Sequence, residues 1–101
     1  MSEISTEVRS LERVKSARPR LHKVILLNDD FTPREFVVTV LGAVFRMTPA
    51  QAHGVMLTAH RRGVCVVAVF TREIAETKAT QATEMGRREG HPLTFTTAPE
   101  D

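Results

Sequence analysis

Residues 24–37 read VILLNDDFTPREFV, a stretch whose pattern joins a strand to a helix through a short acidic loop. The four apolar residues 24–27 are typical of the end of a buried strand. Residues 28–30 (NDD) carry one amide and two carboxylates, and Thr32 and Pro33 then begin a helix. The stretch therefore predicts a loop rich in hydrogen-bond acceptors, held between two rigid elements.

The helix start at Thr32 has the layout of a capping box. We expect the Thr32 hydroxyl to accept the backbone N–H of Glu35, and the Glu35 carboxylate to accept that of Thr32. Pro33 suits the first helical position, where its missing N–H costs nothing. Residues 48–51 (TPAQ) repeat the layout, which predicts a second helix start and a sharp turn at Met47.

Apolar residues at helical spacing mark three helices. The first is expected from about Pro33 to Arg46, and the second ends near Gly63, a residue suited to a helix C-terminus. Thr71 is expected to cap the third helix, which residues 90–92 (GHP) end. The residues expected on the buried faces are Phe36, Val37, Val40, Leu41, Val44 and Phe45, then Ala52, Val55, Met56 and Ala59, then Ile74, Ala75, Ala79, Ala82 and Met85.

Three segments of strand length remain, at residues 21–27, 64–70 and 93–97. Residues 64–70 (VCVVAVF) lack polar alternation, which predicts a central strand covered by helices on at least one face. Residues 93–97 (LTFTT) alternate, as an edge strand with one exposed face does. The order βααβαβ predicts an α+β fold, a single small domain in which three helices pack on a three-stranded antiparallel sheet.

A chain of 101 residues with 42% hydrophobic content has room for one domain with its own core. We expect this domain at residues 21–97, between a flexible N-terminal extension (residues 1–20) and a short C-terminal tail (residues 98–101). A single cysteine, Cys65, excludes an intrachain disulfide and fits a reducing compartment. Neither a membrane span nor a secretory leader is evident, so a cytoplasmic protein is expected.

The sequence pI of 9.2 raises the question of nucleic-acid binding. Residues 1–20 hold five Lys/Arg and three Asp/Glu, whereas residues 21–101 hold nine of each. Nucleic-acid-binding domains usually concentrate basic residues on one face. The even charge of the expected domain therefore argues against a nucleic-acid partner.

The acidic loop at Asn28, Asp29 and Asp30 is open to several interpretations. A calcium loop is excluded because alternating acidic ligands and a central glycine are missing. A carboxylate acid–base pair is disfavoured, since adjacent residues in an extended chain point to opposite sides. Recognition of an ammonium group is plausible because anionic acceptors make strong hydrogen bonds to cations. From the spacing alone, an Asx turn before a helix is the favoured interpretation.

His53, Met56 and His60 share one side of the second helix, at i, i+3 and i+7. A metal site would need a third good ligand, so a histidine at the core or at a pocket rim is the better interpretation. The sequence has no nucleophile elbow, P-loop or dinucleotide turn, and Cys65 within an apolar strand is expected to be a buried, inert thiol. These features favour a binding module without a cofactor over an enzyme.

Four segments in the same order resemble the ClpS family, across roughly residues 21–97. They are KVILLNDDFTPREFV, AHGVMLTAHRRG, VFTREIAETK and EGHPL. ClpS proteins are bacterial adaptors that recognise N-terminal degrons and deliver them to the ClpA or ClpC unfoldase, which acts with the ClpP protease. The resemblance implies an adaptor, monomeric and without catalytic activity, for proteins whose first residue is Phe, Tyr, Trp or Leu.

The resemblance also implies roles for individual residues. The substrate α-amino group would be bound by Asn28, Asp29 and His60. The first side chain would enter a pocket formed by Asp30, Thr32, Arg34, Val37, Met56, Ala59 and Leu93. The N-terminal domain of the unfoldase would dock on Glu73, Thr77 and Lys78.

Two positions depart from the family pattern, which commonly has Met at Arg34 and Val at Ala59. A charged Arg34 seals an apolar edge less well than Met, and Ala59 deepens the pocket by about two methyl groups. We therefore expect aromatic first residues to bind better than Leu, as in a divergent paralogue. The alternatives from other classes are a ribosome-associated module of similar small α/β layout and a small hydrolase.

Overall fold

Six elements form the part of the chain that the computed structural model describes, residues 20–100. They are β1 (Leu21–Leu27), α1 (Arg34–Phe45), α2 (Pro49–Arg62), β2 (Val64–Thr71), α3 (Arg72–Arg88) and β3 (Thr94–Pro99). The expected βααβαβ order and α+β class are confirmed. The expected flexible extension falls almost entirely on residues 1–19, which lie outside the described residues.

The sheet is antiparallel and has the order β2-β1-β3, so β1 is its central strand. The prediction that residues 64–70 form the central strand is wrong, because β2 lies at an edge. Val64, Val66 and Val69 of β2 are 46%, 48% and 39% exposed. An apolar run does not by itself show that both faces of a strand are covered by other elements. These valines lie on a sheet face that is partly open to solvent. β3 is the other edge strand, as its alternation predicted.

An irregularity in β2 explains its misleading pattern. Val24 of β1 pairs with Ala68, but the next residue, Ile25, pairs with Val66, so Val67 is an extra residue without a partner on β1. Such a bulge shifts the alternation of faces by one residue. Consequently Val66 and Val69 can lie on the same face although their spacing is odd.

The three helices pack on one face of the sheet and enclose the core. Its largest fully buried side chains are Leu41, Val24 and Val40; fully burying such a side chain contributes about 1.5–3 kcal/mol. The small-residue face expected for α3 is confirmed, and the short side chains let that helix lie close to the sheet. Ile74, however, was expected to be buried and is 47% exposed. Within residues 20–100, the buried core residues are Val24, Leu26, Val37, Val40, Leu41, Val44, Ala52, Ala59, Ala75, Ala79, Ala82, Leu93 and Phe95.

The two expected capping boxes had opposite outcomes. Around Thr48 both hydrogen bonds are present, from Gln51 N–H to the Thr48 hydroxyl (3.2 Å) and from Thr48 N–H to Gln51 Oε1 (2.9 Å). The prediction of a capping box between Thr32 and Glu35 is wrong, because α1 begins at Arg34 after Pro33 and has no side-chain cap. The hydroxyl of Thr32 is used instead within the acidic loop.

Two left-handed residues turn the chain at the ends of α1 and α2. Arg46 (φ 56°) ends α1 and places the sharp turn one residue before the expected Met47. Gly63 (φ 86°) ends α2 as expected, in a conformation that glycine adopts without a steric penalty. The carbonyl of Gly63 accepts the backbone N–H of Asn28 (2.9 Å), which ties the acidic loop to the end of α2.

Candidate binding site

A cavity of about 370 Å³ lies between the acidic loop, the first turn of α1 and one side of α2. The sequence analysis assigned ten residues to recognition of an N-terminal residue, and all ten line this cavity. Their roles in binding stay predictions, but distant parts of the chain do meet there. The ten are Asn28, Asp29, Asp30, Thr32, Arg34, Val37, Met56, Ala59, His60 and Leu93.

Asp29 organises the loop at the mouth of the cavity. Its Oδ1 accepts the backbone N–H groups of Phe31 (2.9 Å) and Thr32 (2.7 Å), and its Oδ2 accepts the Thr32 hydroxyl (3.0 Å). The Asx-type turn favoured from the spacing is therefore present. Each carboxylate oxygen has more than one acceptor site, so a half-buried Asp29 can hold the loop and still accept from a ligand.

The mouth of the cavity is polar on two sides. Asn28 and Asp30 are exposed on the loop, and His60 is exposed in the last turn of α2. The hydrogen bond from Asn28 N–H to Gly63 keeps the loop beside that last turn. A ligand at the mouth would thus meet an amide, carboxylates and an imidazole, groups that together can accept several hydrogen bonds from one cation.

The interior of the cavity is apolar. Val37, Ala59 and Leu93 are 7%, 3% and 2% exposed, and they come from α1, α2 and the segment before β3. Met56 is half-buried beside them, and its flexible thioether can adapt to the shape of a bound group. Polar groups at the mouth and apolar groups inside suit a ligand with a charged end and a hydrophobic side chain.

Six lining residues were not assigned from the sequence. Of these, His53 shares its side of α2 with Met56 and His60, so the helical spacing contained its signal. Phe31 is 81% exposed, and no periodicity marks a side chain in an irregular loop. The unassigned lining residues are Leu26, Leu27, Phe31, Pro33, His53 and Leu57.

The side chains of residues 20–100 can be compared with the needs of a metal site and of a reactive thiol. No group of three or more His, Cys, Asp or Glu side chains that could hold a metal ion occurs there. Burial raises the pKa of the Cys65 thiol, although a hydrogen bond with Thr58 and the charge of Arg62 act in the opposite direction. A raised pKa lowers the thiolate fraction, in the direction expected of an inert thiol, but Cys65 is only partly buried and not buried as predicted.

The three residues expected to dock an unfoldase lie near the start of α3. Glu73 and Thr77 are exposed, beside the exposed Ile74. Lys78 is partly buried and donates a hydrogen bond to the carbonyl of Val44 at the end of α1 (3.1 Å). Its ammonium group also lies 5.6 Å from the centre of the Phe70 ring, a cation–π distance. Lys78 therefore already makes contacts within the domain that Glu73 and Thr77 do not share.

Comparison with known proteins supplies the decisive observation. The family model described as "ATP-dependent Clp protease adaptor protein ClpS" matches residues 17–96. The chain belongs to the ClpS family. Its members are adaptors of an ATP-dependent protease, and this chain has the α+β fold that the resemblance implied.

Individual relatives are similar over their whole length. The ClpS 2 adapter protein of Mesorhizobium japonicum is 61% identical over 101 residues, which is 100% of both chains. The ClpS 1 adapter protein of Rhodopseudomonas palustris is 61% identical over 99 residues, 98% of this chain and 96% of that protein. A solved structure of Agrobacterium tumefaciens ClpS2 bound to L-phenylalaninamide matches with a TM-score of 0.80 and 61% identity, over 82% of this chain and 100% of that one.

Within residues 20–100, every helix is too short or too polar to cross a membrane.

Proposed function

We propose that this protein binds the free N-terminus of proteins with a bulky hydrophobic first residue and delivers them to a Clp unfoldase–protease. The observation that carries the proposal is a cavity in a ClpS-family chain, with hydrogen-bond acceptors at its mouth and apolar side chains inside. Aromatic first residues are expected to bind best. No observation favours the ribosome-associated module or the hydrolase.

The ligand of the similar ClpS2 structure supports this choice of substrate. L-Phenylalaninamide has a free α-ammonium group, an aromatic side chain and a carboxamide in place of the following peptide bond. It therefore stands for the first residue of a peptide. In this chain its ammonium group would be bound by Asn28 and His60 directly and by Asp29 partly through water.

The side chain of the first residue would enter the apolar interior beneath those three groups. Val37, Met56, Ala59 and Leu93 would contact its ring, while Asp30, Thr32 and Arg34 would border the opening. Burial of an aromatic side chain would supply most of the binding free energy through the apolar area removed from water. The ammonium contacts would supply selectivity for a free N-terminus.

Delivery would proceed without bond chemistry in the adaptor. The exposed Glu73 and Thr77, with Lys78, would dock the N-terminal domain of ClpA or ClpC, and ClpP would cleave the unfolded substrate. The protein would act as a monomer in the cytoplasm and need no cofactor. Ile74, which is 47% exposed, lies beside Glu73 in this proposed docking surface.

Fluorescence anisotropy with paired peptides tests the binding proposal. A labelled peptide that begins with Phe is expected to bind, and the same peptide acetylated at its N-terminus is expected not to bind, because acetylation removes the charge and two donors. A peptide that begins with Ser is the control for the side chain. Equal binding of the free and acetylated Phe peptides would contradict the ammonium assignment.

A further inference from the structure

Gly86 is a buried residue of α3 that lies against Leu93, a lining residue of the cavity. A Cβ atom built on Gly86 would lie 2.8 Å from the Cβ of Leu93 and 3.6 Å from its Cδ2. The φ angle of this helical glycine is ordinary, so its role is one of space and not of backbone conformation. Only a hydrogen atom fits between α3 and Leu93 at this point.

The chain between the two residues folds back tightly. The carbonyl of Gly86 accepts the backbone N–H groups of Glu89 (3.1 Å) and His91 (2.8 Å). Leu93 then follows directly before β3, 2% exposed and lining the cavity. Leu93 therefore lies between Gly86 and the cavity, and close packing against α3 determines how far it projects into that space.

We propose that Gly86 is a specificity-determining positioning residue, which sets the depth of the cavity by letting Leu93 lie directly against α3. This inference rests on the proposed function, since depth matters only if a side chain enters the cavity. Gly86 itself does not line the cavity. It would act through Leu93 and would never contact the ligand.

The direction of the effect follows from the packing. The crowded atom of Leu93 is its Cβ, which is fixed to the backbone, so rotation of the side chain cannot relieve the contact. Residues 91–93 must then move away from α3. Because the core is close-packed, the cavity is the nearest space into which Leu93 can move. A methyl group at position 86 would thus make the cavity shallower.

The test is Gly86→Ala, with dissociation constants measured for free peptides that begin with Phe or Leu. We expect the Phe peptide to lose affinity by about tenfold more than the Leu peptide, the lower end of the effect of one methylene group in an apolar pocket. The matched control is Gly54→Ala on α2, where an added Cβ has no atom within 4 Å. That control should leave the ratio of the two constants unchanged.

A double-mutant cycle tests whether the effect passes through Leu93. In a Leu93→Ala background the displaced side chain no longer reaches the cavity, so Gly86→Ala should change the Phe-to-Leu ratio much less. An unchanged ratio for Gly86→Ala, an equal change in both backgrounds, or a Gly86→Ala variant that does not fold would overturn the proposal. In the last case the crowding would not be relieved into the cavity. Absence of Phe-peptide binding to the unaltered protein would instead reject the proposed function.

Discussion

Among single residues, Asp29 accounts for the local order of the candidate binding site. Its carboxylate holds three donors of the loop that follows it, from Phe31 and Thr32. A loop fixed in this way loses little conformational entropy when a ligand binds. The Asx turn and the ammonium site, which compete as interpretations of the sequence, are thus compatible in the structure.

Ala59 and Arg34 are the two cavity-lining residues that we expect to change which first residue binds best. Ala59 is 3% exposed inside the cavity, and Arg34 is exposed at its edge. With a small side chain at position 59, Phe and Tyr should fill the space better than Leu. Peptides that begin with Phe should bind more tightly than those that begin with Leu, by about 1–3 kcal/mol.

Ala59→Val should reduce this preference, because two added methyl groups occupy the space that Leu leaves empty. Fluorescence titration of both peptides measures the ratio in each variant. Ala43→Val, at an exposed position of α1, is the control for the lower helix propensity of valine. If the unaltered protein bound Leu as tightly as Phe, the prediction would be wrong.

Two threonines before helices differ in function at the scale of secondary-structure elements. Thr48 caps α2 through a capping box, whereas Thr32 donates its hydroxyl to Asp29 and does not cap α1. Thr48→Ala should therefore destabilise the fold by about 1 kcal/mol and leave peptide affinity unchanged. Thr32→Val should weaken peptide binding, because the loop loses one of its three bonds to Asp29.

Urea denaturation and peptide titration of the same samples separate these two effects. Thr32→Ser retains the hydroxyl and is expected to restore most of the affinity that Thr32→Val loses. A Thr48→Ala variant with weakened binding, or a Thr32→Val variant with full affinity, would show that the two threonines have been assigned incorrectly.

The elements could be predicted from the sequence more reliably than their arrangement. Helical periodicity placed α1 within one residue of its observed ends, and Gly63 marked the end of α2. The position of β2 in the sheet was predicted wrongly, because its exposed valines lie on a partly open face and the strand contains a bulge. Whether a strand is central or at an edge depends on which strands pair, and the sequence of one strand does not show this.

The candidate binding site was predictable only in part for the same reason. The shared side of His53, Met56 and His60 follows from spacing along one helix. The meeting of that side with the acidic loop and with Leu93 is a tertiary contact, which family resemblance implied and periodicity did not. Neither family resemblance nor periodicity predicted the contact between Gly86 and Leu93, because it depends on a close approach of two backbone segments.

At the scale of the whole molecule, the candidate ligand cavity and the expected docking surface consist of different residues on different elements. The cavity is lined from the loop, α1, α2 and Leu93, whereas Glu73, Ile74 and Thr77 lie at the start of α3. An adaptor needs both, since a substrate is delivered only by a molecule that binds it and docks. Damage to one surface should therefore leave the function of the other intact.

Asn28→Ala and Glu73→Lys test this separation. Asn28→Ala should weaken binding of a Phe-first peptide and leave binding to an isolated ClpA N-terminal domain unchanged, while Glu73→Lys should do the reverse. Each variant alone should fail to stimulate degradation of a Phe-first reporter by ClpA and ClpP. A mixture of the two should also fail, because neither molecule carries both surfaces.

Glu84→Lys is the matched control for the charge reversal, since Glu84 lies further along the same helix and its side chain is 43% exposed. It should retain docking, peptide binding and delivery. If Glu84→Lys impaired docking as much as Glu73→Lys, the effect would be one of net charge and not of a local surface. If Glu73→Lys weakened peptide binding as well, the two surfaces would be coupled and the separation would be refuted.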